Sequence, residues 1–487
     1  MKQSQGSSTA LGLLSQYDRG PFFCELTSPR PDGTADLAAI LTRLNSLDQD
    51  SLRRRTALAD KEMFDLGITF TVYSDKDAID RILPFDVLPR VITAGEWTRL
   101  EAGIIQRVTT INLFLDDLYH DQRILADKVI PADLVLGNAN YHEFMRGLKV
   151  PCGTYSHVCG IDLIRDQAGE FRVLEDNART PSGVSYVVEN RNLMLQSFPD
   201  LMDGAKVRPV DNYGLMLRQA LVDIAPQGVD DPTVVLLSPG IYNSAFFEHV
   251  FLAREMGVPL VEGRDLVVEN DRVYMLTTAG RAPVHCIYRR IDDAFLDPEV
   301  FRPDSMLGVP GLMGAYKKGN VAVANAPGTG VADDKAVYAY MPRMVKYYLG
   351  EEAILPNVET FICREAEALQ YTMDNLDKLV VKPVGESGGY GMIIGPKATR
   401  TELDEFRAKL KADPDNYISQ PMIGLSVCPT LTDGGVEPRH VDLRPFAVTG
   451  AKTAVLSGGL SRVALKKGSI VVNSSQGGGS KDTWVLE

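Results

Sequence analysis

The sequence predicts a mixed α/β protein of the α+β kind, assembled from several modules. Three observations predict it. The first third of the chain carries a long amphipathic helical pattern, the middle carries a β–α–β pattern, and the last hundred residues carry strands separated by glycines. At roughly 150 residues per domain, the length of 487 residues corresponds to about three domains or one composite fold.

The helical pattern is clearest between Trp97 and Leu118. Apolar residues recur there every three or four positions, which places them on one face of a helix. Residues 1–150 contain no close grouping of a nucleophile, a base and a glycine turn. They are therefore interpreted as a mainly helical N-terminal region that supports the rest of the molecule.

The β–α–β pattern runs through residues 233–263. An apolar β-branched run at 233–238 precedes a helical stretch from Ser244 to Met256, and a second strand starts at Val258. A hairpin turning at Asn270 and a strand from Val284 follow. Residues 205–320 are therefore predicted to form an α/β domain, and the Pro- and Gly-containing segment 325–334 a loop.

The last part of the chain is predicted to form an antiparallel sheet. Its candidate strands are apolar runs bounded by turn residues, at 379–384, 391–395, 417–423, 441–450 and 469–473.

Composition excludes several classes of protein. The chain has 51 Lys and Arg against 64 Asp and Glu, a net charge of −13, so a nucleic-acid partner is not expected. It contains no apolar run near the ~18 residues of a membrane span, and its start does not resemble a signal peptide. A cytoplasmic protein without a membrane partner is expected. The six cysteines include no C-x-x-C pair, which favours reduced thiols.

The first motif joins a lysine to a glycine-rich turn. Lys382 ends an apolar strand, and Gly388, Gly389 and Gly391 follow before the next strand. Glycines let main-chain N–H groups approach phosphate oxygens, and the lysine adds a positive charge, so a triphosphate would fit. The order strand–loop–strand differs from that of a dinucleotide fold. Alone, the pattern is equally compatible with a purely structural turn.

The second motif supplies hard oxygen ligands. Two strands joined by a turn at 167–169 would bring Asp162 beside Glu175 and Asn177, and the last two share one strand face. Such ligands suit Mg²⁺ together with phosphate oxygens and water. A solvated polar hairpin is the alternative.

The third motif is cationic. Alternation along the strand at 441–447 places Asp442 and Arg444 on one face, and Arg462 follows. Arginine forks can hold a carboxylate or a developing oxyanion. For either arginine, an ion pair on the protein surface is the alternative.

Together these segments resemble the ATP-grasp ligases. Asp334-Lys335, Lys382 with its glycines, Gln420 to Ile423, Asp442 with Arg444, and Arg462 stand in the order usual for that superfamily. The aspartate and E-x-N motif that normally close the pattern stand instead near the front of the chain. The sequence is therefore similar, over nearly its whole length, to the circularly permuted ATP-grasp family, whose members carry a glutathionylspermidine synthase-like label.

This resemblance implies a circularly permuted ATP-grasp fold. The helical region at 1–150 would precede a permuted metal-binding piece at 151–204. A pre-ATP-grasp α/β domain at 205–320 and the ATP-grasp core at 321–487 would follow.

The resemblance also implies an ATP-dependent carboxylate–amine ligase that works through an acyl phosphate. Its partners would be ATP, Mg²⁺ and a small-molecule or peptide carboxylate and amine. A phosphotransferase with the same ATP–Mg²⁺ site and a non-catalytic nucleotide-binding protein are the alternatives. The implied roles are phosphate binding by Lys335, Lys382, Gly388, Gly389 and Gly391, adenine binding by Gln420, Met422 and Ile423, Mg²⁺ binding by Asp162, Glu175 and Asn177, catalysis by Arg444 and Arg462, and substrate binding by Arg179, Ser182, Arg289, Arg290 and Asp292.

Overall fold

The computed structural model describes residues 12–30, 35–73, 78–385, 391–473 and 477–487. The α-helices of these residues are α1 (Ala35–Ser46), α2 (Gln49–Asp65), α3 (Ala94–Tyr119), α4 (Arg123–Ala126), α5 (Ala132–Leu136), α6 (Val184–Ser197), α7 (Pro199–Met202), α8 (Tyr213–Asp223), α9 (Phe246–Met256), α10 (Asp293–Leu296), α11 (Leu312–Lys317), α12 (Lys335–Ala339), α13 (Met341–Leu349), α14 (Ala366–Asp374) and α15 (Arg400–Ala412).

The strands of the same residues are β1 (Thr69–Tyr73), β2 (Ala78–Ile82), β3 (Phe85–Ile92), β4 (Val158–Arg165), β5 (Phe171–Asn177), β6 (Val234–Leu237), β7 (Leu260–Val261), β8 (Leu266–Glu269), β9 (Arg272–Thr277), β10 (Gly280–Val284), β11 (Cys286–Arg289), β12 (Ala322–Ala324), β13 (Phe361–Ile362), β14 (Leu379–Pro383), β15 (Ile393–Ile394), β16 (Tyr417–Pro421), β17 (Val427–Thr432), β18 (Gly435–Arg444), β19 (Phe446–Thr449), β20 (Thr453–Val455), β21 (Leu460–Val463) and β22 (Gly479–Val485).

Helix α3 confirms the amphipathic pattern read from Trp97 to Leu118. Thr93 caps its first turn, and Glu96 returns a hydrogen bond to the Thr93 main chain, so the helix starts with a capping box. Trp97, Ile104 and the other apolar residues of the pattern are buried. The helix packs against α13 and β20, so its apolar face is covered by elements from the last third of the chain.

The β–α–β prediction is also confirmed. Strands β12, β11, β6 and β7 lie in that order in a parallel sheet, and α9 connects β6 to β7. The predicted hairpin is β8–β9, with Asn270 and Asp271 at positive φ in its turn. Strand β10 pairs with β9 and completes a small antiparallel sheet beside this module.

The largest sheet combines strands from distant parts of the sequence. Its order is β20-β19-β4-β18-β21-β22-β3, with β5 paired to β4 and β17 paired to β18. Strands from residues 85–92 and 158–177 therefore lie beside strands from residues 427–485. A smaller antiparallel sheet has the order β13-β16-β14-β15.

Some strands were not predicted from the sequence, and one predicted strand is absent from the described residues. Residues 1–150 contain helices α1 to α5, but also β1, β2 and β3, and β3 pairs in parallel with β22 inside the largest sheet. Every residue of β3 is buried, so the strand lacks the alternating pattern that marks a half-exposed strand. The prediction of a strand at 469–473 was wrong. This segment is irregular, and its residues Ile470 and Val472 line a cavity.

Among the described helices, none has an apolar stretch of the length needed to cross a bilayer. The six cysteines are free thiols, and Cys152 is the exposed one.

Asn325 ties the two strands of the β4–β5 hairpin together. Its Oδ1 accepts hydrogen bonds from the main-chain N–H groups of His157 and Val158, each at 2.8 Å. Its Nδ2 donates to the carbonyl oxygens of Val158 and Ala178, each at 2.7 Å. Asn325 is buried, so this one carboxamide satisfies main-chain groups that water cannot reach.

We expect Asn325→Ala to lower the free energy of unfolding by about 3 kcal/mol or more, since several buried main-chain groups would lose their partners. The measurement is the midpoint of urea unfolding. The exposed Asn212, whose side chain makes no capping hydrogen bond, provides the matched control, Asn212→Ala. Equal midpoints for the two variants would contradict this role.

Candidate active site

A cavity lies between the smaller antiparallel sheet and one face of the largest sheet. Strands β4 and β5 contribute Asp162 and Glu175, and β14 contributes Lys382 from the opposite wall. Acidic groups from residues 158–177 therefore face a cation from residues 379–383. The other residues that line the cavity are Ile164, Leu174, Lys335, Val358, Val380, Pro383, Met392, Ile394, Gln420, Pro421, Met422, Ile423, Leu425, Asp442, Arg462, Ile470, Val471, Val472 and Asn473.

A buried network of charges forms the floor of the cavity. Asp162 accepts hydrogen bonds from Arg444 Nε and from Arg444 Nη2, the latter at 2.8 Å. Its Oδ2 also accepts from Arg462 Nη2 at 2.7 Å. Burial disfavours the charged form of Asp162, but the two guanidinium groups hold the pKa of its carboxyl well below the usual value.

Asp442 completes this network on the strand next to Arg462. The register of β18 and β21 places the two residues opposite each other, and Arg462 Nε lies 2.9 Å from Asp442 Oδ1. Burial raises the pKa of Asp442, while Arg462 opposes that rise. Arg444 does not line the cavity itself; it lies beyond Asp162, with Nη2 4.0 Å from Glu175.

The β4–β5 hairpin aligns the predicted metal ligands. Its register places Asp162 opposite Glu175 and Gly160 opposite Asn177. Asn177 Nδ2 donates to the carbonyl oxygen of Gly160 at 3.3 Å and lies 3.5 Å from Asp162 Oδ1. Glu175 lines the cavity, whereas Asn177 lies beside it and is not among the lining residues.

These residues fit a magnesium ion through their oxygen chemistry. Mg²⁺ is usually held by one or two carboxylates together with phosphate oxygens and water. The described residues contain no group of three or more His, Cys, Asp or Glu side chains that could hold a metal, and the predicted set has two carboxylates and one amide. Asp162 already binds two arginines, so Glu175 and Asn177 are the stronger direct ligands.

Lys335 and Lys382 lie at the predicted phosphate end. The main-chain N–H of Lys335, at the start of α12, donates to the carbonyl of Val384 just after β14, which holds the two lysine-bearing segments together. Lys335 Nζ lies 3.5 Å from Glu175 Oε2. Within the described ranges, the ammonium of Lys382 forms no ion pair.

The glycines of the first motif are only partly described. Gly388 and Gly389 lie outside the described residues. Gly391 has a φ of +68°, and a Cβ at this position would lie 3.1 Å from Pro383 Cγ. The turn therefore needs glycine at this position, as the motif requires.

The charge of Lys382 should make nucleotide binding depend on pH. Burial lowers the pKa of Lys382 to about 8. A bound phosphate would favour the protonated form, so the pKa rises on binding and a proton is taken up near pH 8. We expect MgATP binding to be accompanied by proton uptake at about pH 8 and by almost none at about pH 6, and to weaken as the pH rises above about 8.

Titration calorimetry in two buffers with different ionisation enthalpies measures this uptake. Lys382→Arg is the control, because a guanidinium stays charged across the range. Equal proton uptake by the wild type and by Lys382→Arg would show that another group titrates.

Another part of the cavity is an apolar slot. Apolar side chains from both sheets face each other, among them Ile164, Leu174 and Val380. Gln420 is buried, and its Nε2 donates to Thr360 Oγ1 at 3.0 Å, which fixes the orientation of its carboxamide. Met422 also lines the slot, where the chain has left β16.

The predicted substrate residues separate into two groups. Arg179, just past the metal-ligand strand, lies 3.5 Å from Asp333 and 3.7 Å from Asp292, and is partly exposed. Arg289 is completely buried, donates to three main-chain carbonyl groups and pairs with Asp293, so its donors serve the fold.

Arg290 and Ser182 belong to a different part of this region. Arg290 Nη1 donates to the carbonyl of Pro181 at 2.7 Å, and Ser182 accepts from Arg444 Nη1 at 3.2 Å through its main-chain carbonyl. Arg290 therefore contacts the loop that borders Arg444, and Ser182 belongs to that loop.

Sequence reasoning missed two charged residues near the site: Asp176, which anchors β5, and Glu248, which binds the loop beside Arg444. Asp176 points to the face of β5 opposite Glu175 and pairs with Arg107 of α3, with Nη2 2.8 Å from Oδ2. The sequence signal for this ion pair was Arg107, a charged residue beside Val108 on the apolar face of α3. Glu248 of α9 accepts hydrogen bonds from Gly183 and Ser185, and no local motif marks it.

A family model and several relatives match the larger part of this chain. Residues 89–464 match the family described as circularly permuted ATP-grasp type 2. An uncharacterized protein of Synechocystis sp. is 50% identical over 479 residues, which cover 97% of this chain and 99% of that protein. A Frankia alni protein named "Putative glutamate--cysteine ligase 2-3" is 42% identical over 450 residues, covering 92% of this chain and 52% of its own length.

A solved structure shares the fold with this chain. It is a glutathione synthetase-like effector from Globodera pallida in the apo form, with a TM-score of 0.56 and 12% sequence identity. The match covers 91% of this chain and 98% of that chain. At this identity the likeness concerns the fold alone.

Proposed function

Because the chain belongs to the circularly permuted ATP-grasp type 2 family, we propose that it is an ATP-dependent ligase that joins a carboxylate to an amine. The family membership and the ATP-grasp fold expected from the motif order are both confirmed. The ligase activity and the roles of individual residues are proposals.

One observation carries the proposal. Asp162 and Glu175 lie in the same cavity as Lys382, although more than 200 residues separate the two segments in the sequence. A site with cations at one end, oxygen ligands beside them and an apolar slot at the other end fits a nucleoside triphosphate. Six separately predicted segments thus contribute to one pocket, through Asp162 with Glu175, Lys335, Lys382, Gln420 with Met422 and Ile423, Asp442, and Arg462.

The proposed reaction has two steps. The carboxylate oxygen attacks the γ-phosphorus of ATP, the bond to the β-phosphate oxygen breaks, and an acyl phosphate and ADP result. The amine then attacks the acyl carbon, phosphate leaves with its bonding electron pair, and the amine loses a proton to give the amide. No side chain needs to form a covalent bond in this scheme.

The residues of the site would act by charge and position. Lys335 and Lys382 would hold the phosphates of ATP, and Arg444 and Arg462 would stabilise negative charge on the acyl phosphate and on the tetrahedral intermediate. Arg462 is held from two sides by Asp162 and Asp442, so its guanidinium is fixed before substrate binds.

Glu175 and Asn177 would hold the magnesium ion, with Asp162 behind them. A bound Mg²⁺ offsets negative charge on the phosphoryl group that is transferred. Arg179, with its carboxylate neighbours Asp292 and Asp333, is proposed to contact the carboxylate or amine substrate.

The name of the Frankia alni protein supports an amide-forming ligase. This chain covers 52% of the length of that relative, so the substrates in its name are not carried over. A reaction that consumes ATP is consistent with the proposed cytoplasmic location.

Release of ADP across amino acids, polyamines and peptides, supplied singly and in pairs, tests the proposal. A ligase releases ADP, phosphate and an amide only when both a carboxylate and an amine are present, and Lys382→Ala serves as the blank. A phosphorylated product from one co-substrate would identify a phosphotransferase. MgATP binding without turnover for any pair would favour a non-catalytic protein.

A further inference from the structure

We propose that Glu248 and Arg290 are positioning residues that hold the 181–185 loop (residues 181–185), and that this loop sets the position of the Arg444 guanidinium. The inference rests on the proposed function, because Arg444 is assigned there to the reacting groups. It gives Arg290 a role different from the substrate contact expected from the sequence.

Glu248 binds the loop at the start of α6. Its Oε2 accepts from the N–H of Gly183 at 2.7 Å, from the N–H of Ser185 at 3.1 Å and from Ser185 Oγ at 2.9 Å. Helix α6 begins at Val184 and has no side-chain cap of its own. A carboxylate from α9 therefore satisfies the free N–H groups of this helix start and complements its dipole.

Arg290 binds the other end of the loop. Its Nη1 donates to the carbonyl of Pro181 at 2.7 Å, and its Nη2 lies 3.4 Å from Glu248 Oε1. Glu248 and Arg290 are both buried. A buried ion pair holds the groups that it binds in one arrangement, because loss of either charge leaves the other unpaired. Among the described residues, Arg290 Nε has no hydrogen-bond partner, so the contacts of Arg290 run through its two Nη atoms.

The loop passes this constraint to Arg444. The carbonyl of Ser182 accepts from Arg444 Nη1 at 3.2 Å, while Arg444 Nη2 donates to Asp162 at 2.8 Å. All three guanidinium nitrogens of Arg444 thus have a partner, and Ser182 fixes the one that Asp162 does not reach.

Close packing around the loop leaves little room for adjustment. A Cβ on Gly160 would lie 3.1 Å from Pro181 Cβ and 3.2 Å from Arg444 Cδ. Gly183 has a φ of +109°, and a Cβ there would lie 2.7 Å from Leu460 Cδ2. A shift of the loop would therefore move Arg444 as well.

The chain of contacts crosses three segments of the sequence. Glu248 and Arg290 lie within residues 205–320, the loop follows β5, and Arg444 ends β18. The α/β module would thereby influence the chemistry without contacting ATP.

Hydrogen exchange and MgATP titration test the first half of the inference. The variants are Glu248→Ala, Glu248→Gln and Ser185→Ala, and the control is Glu255→Gln on the same helix. We expect faster hydrogen exchange at the amides of residues 183–185 in Glu248→Ala. The increase should be smaller in Glu248→Gln and in Ser185→Ala. MgATP affinity should stay within about twofold of the wild type, since no loop residue lines the nucleotide cavity.

Turnover tests the second half, with the substrate pair found by ADP release. We expect kcat of Glu248→Ala to fall about 10- to 100-fold while the KM for ATP changes little, because a displaced cation affects the transition state more than the ground state. Glu248→Gln keeps an acceptor for the amides and should retain more activity. Glu255→Gln should match the wild type in kcat, KM and exchange.

Two results would overturn the inference: unchanged exchange at 183–185 in all Glu248 variants, or faster exchange with wild-type kcat. If Glu248→Ala does not fold, Glu248→Gln and Ser185→Ala give the same readouts. If the wild type turns over no substrate pair, the proposed ligase function fails and the catalytic half of the inference fails with it, whereas the exchange result still decides whether Glu248 holds the loop.

Discussion

Lys382→Ala is expected to weaken MgATP binding about 10- to 100-fold, the effect of removing one or two charge-assisted hydrogen bonds. The substitution should not lower the stability of the folded protein. The lowered pKa of Lys382 means that the folded protein disfavours its charge at neutral pH, so removal of the ammonium leaves the melting temperature unchanged or slightly higher. Calorimetric titration with MgATP and thermal melting of the free protein measure the two effects.

Lys378→Ala is the matched control for this prediction. Lys378 immediately precedes β14 and is exposed, so it shares the local sequence with Lys382 without facing the cavity. Wild-type affinity in Lys382→Ala, or an equal loss in both variants, would remove Lys382 from the proposed phosphate site.

Arg462→Met is expected to destabilise the protein and to lower turnover strongly. The substitution leaves Asp442 buried without its cation and removes one of two cations from Asp162, at a cost of about 3–5 kcal/mol in the free energy of unfolding. Loss of a group that stabilises developing charge lowers kcat by about 10²- to 10³-fold. Urea unfolding and the ADP-release assay measure the two effects separately.

The double variant Arg462→Met/Asp442→Asn separates stability from catalysis. Removal of the orphaned carboxylate should restore part of the lost stability, since Asp442 and Arg462 contact each other and their effects are not additive. Turnover should remain low, because the cation is still absent. Recovery of turnover in the double variant would show that Arg462 acts only on folding.

The sequence predicted those parts of the site that depend on local patterns. The turn at 167–169 and strand alternation placed Asp162 opposite Glu175, as the β4–β5 register shows. The apolar run before Lys382 predicted a strand that ends at the lysine, and Lys382 lies near the end of β14, opposite Ile418 of β16. Each of these features depends on a short stretch of the sequence. The hydrophobic period and the turn residues are therefore sufficient to predict them.

Features that depend on distant partners could not be predicted in this way. Strand β3 is buried along its whole length because β22 and α2 cover it, and no alternation marks such a strand. Residues 469–473 have strand composition, but their apolar side chains line the cavity of the candidate active site. Glu248 stands in an ordinary amphipathic helix, and its role is visible only once α9 is placed beside the 181–185 loop.

The pairing of β4 with β18 has a consequence for synthesis of the protein. The hairpin that carries Asp162 and Glu175 leaves the ribosome early, but its central neighbour is translated only after nearly the whole middle of the chain. During that interval the open edge of β4 is free to pair with the wrong strand, and closing so long a loop slows folding. The hairpin that carries Asp162 and Glu175 therefore completes its pairing only after residues 435–444 have been made.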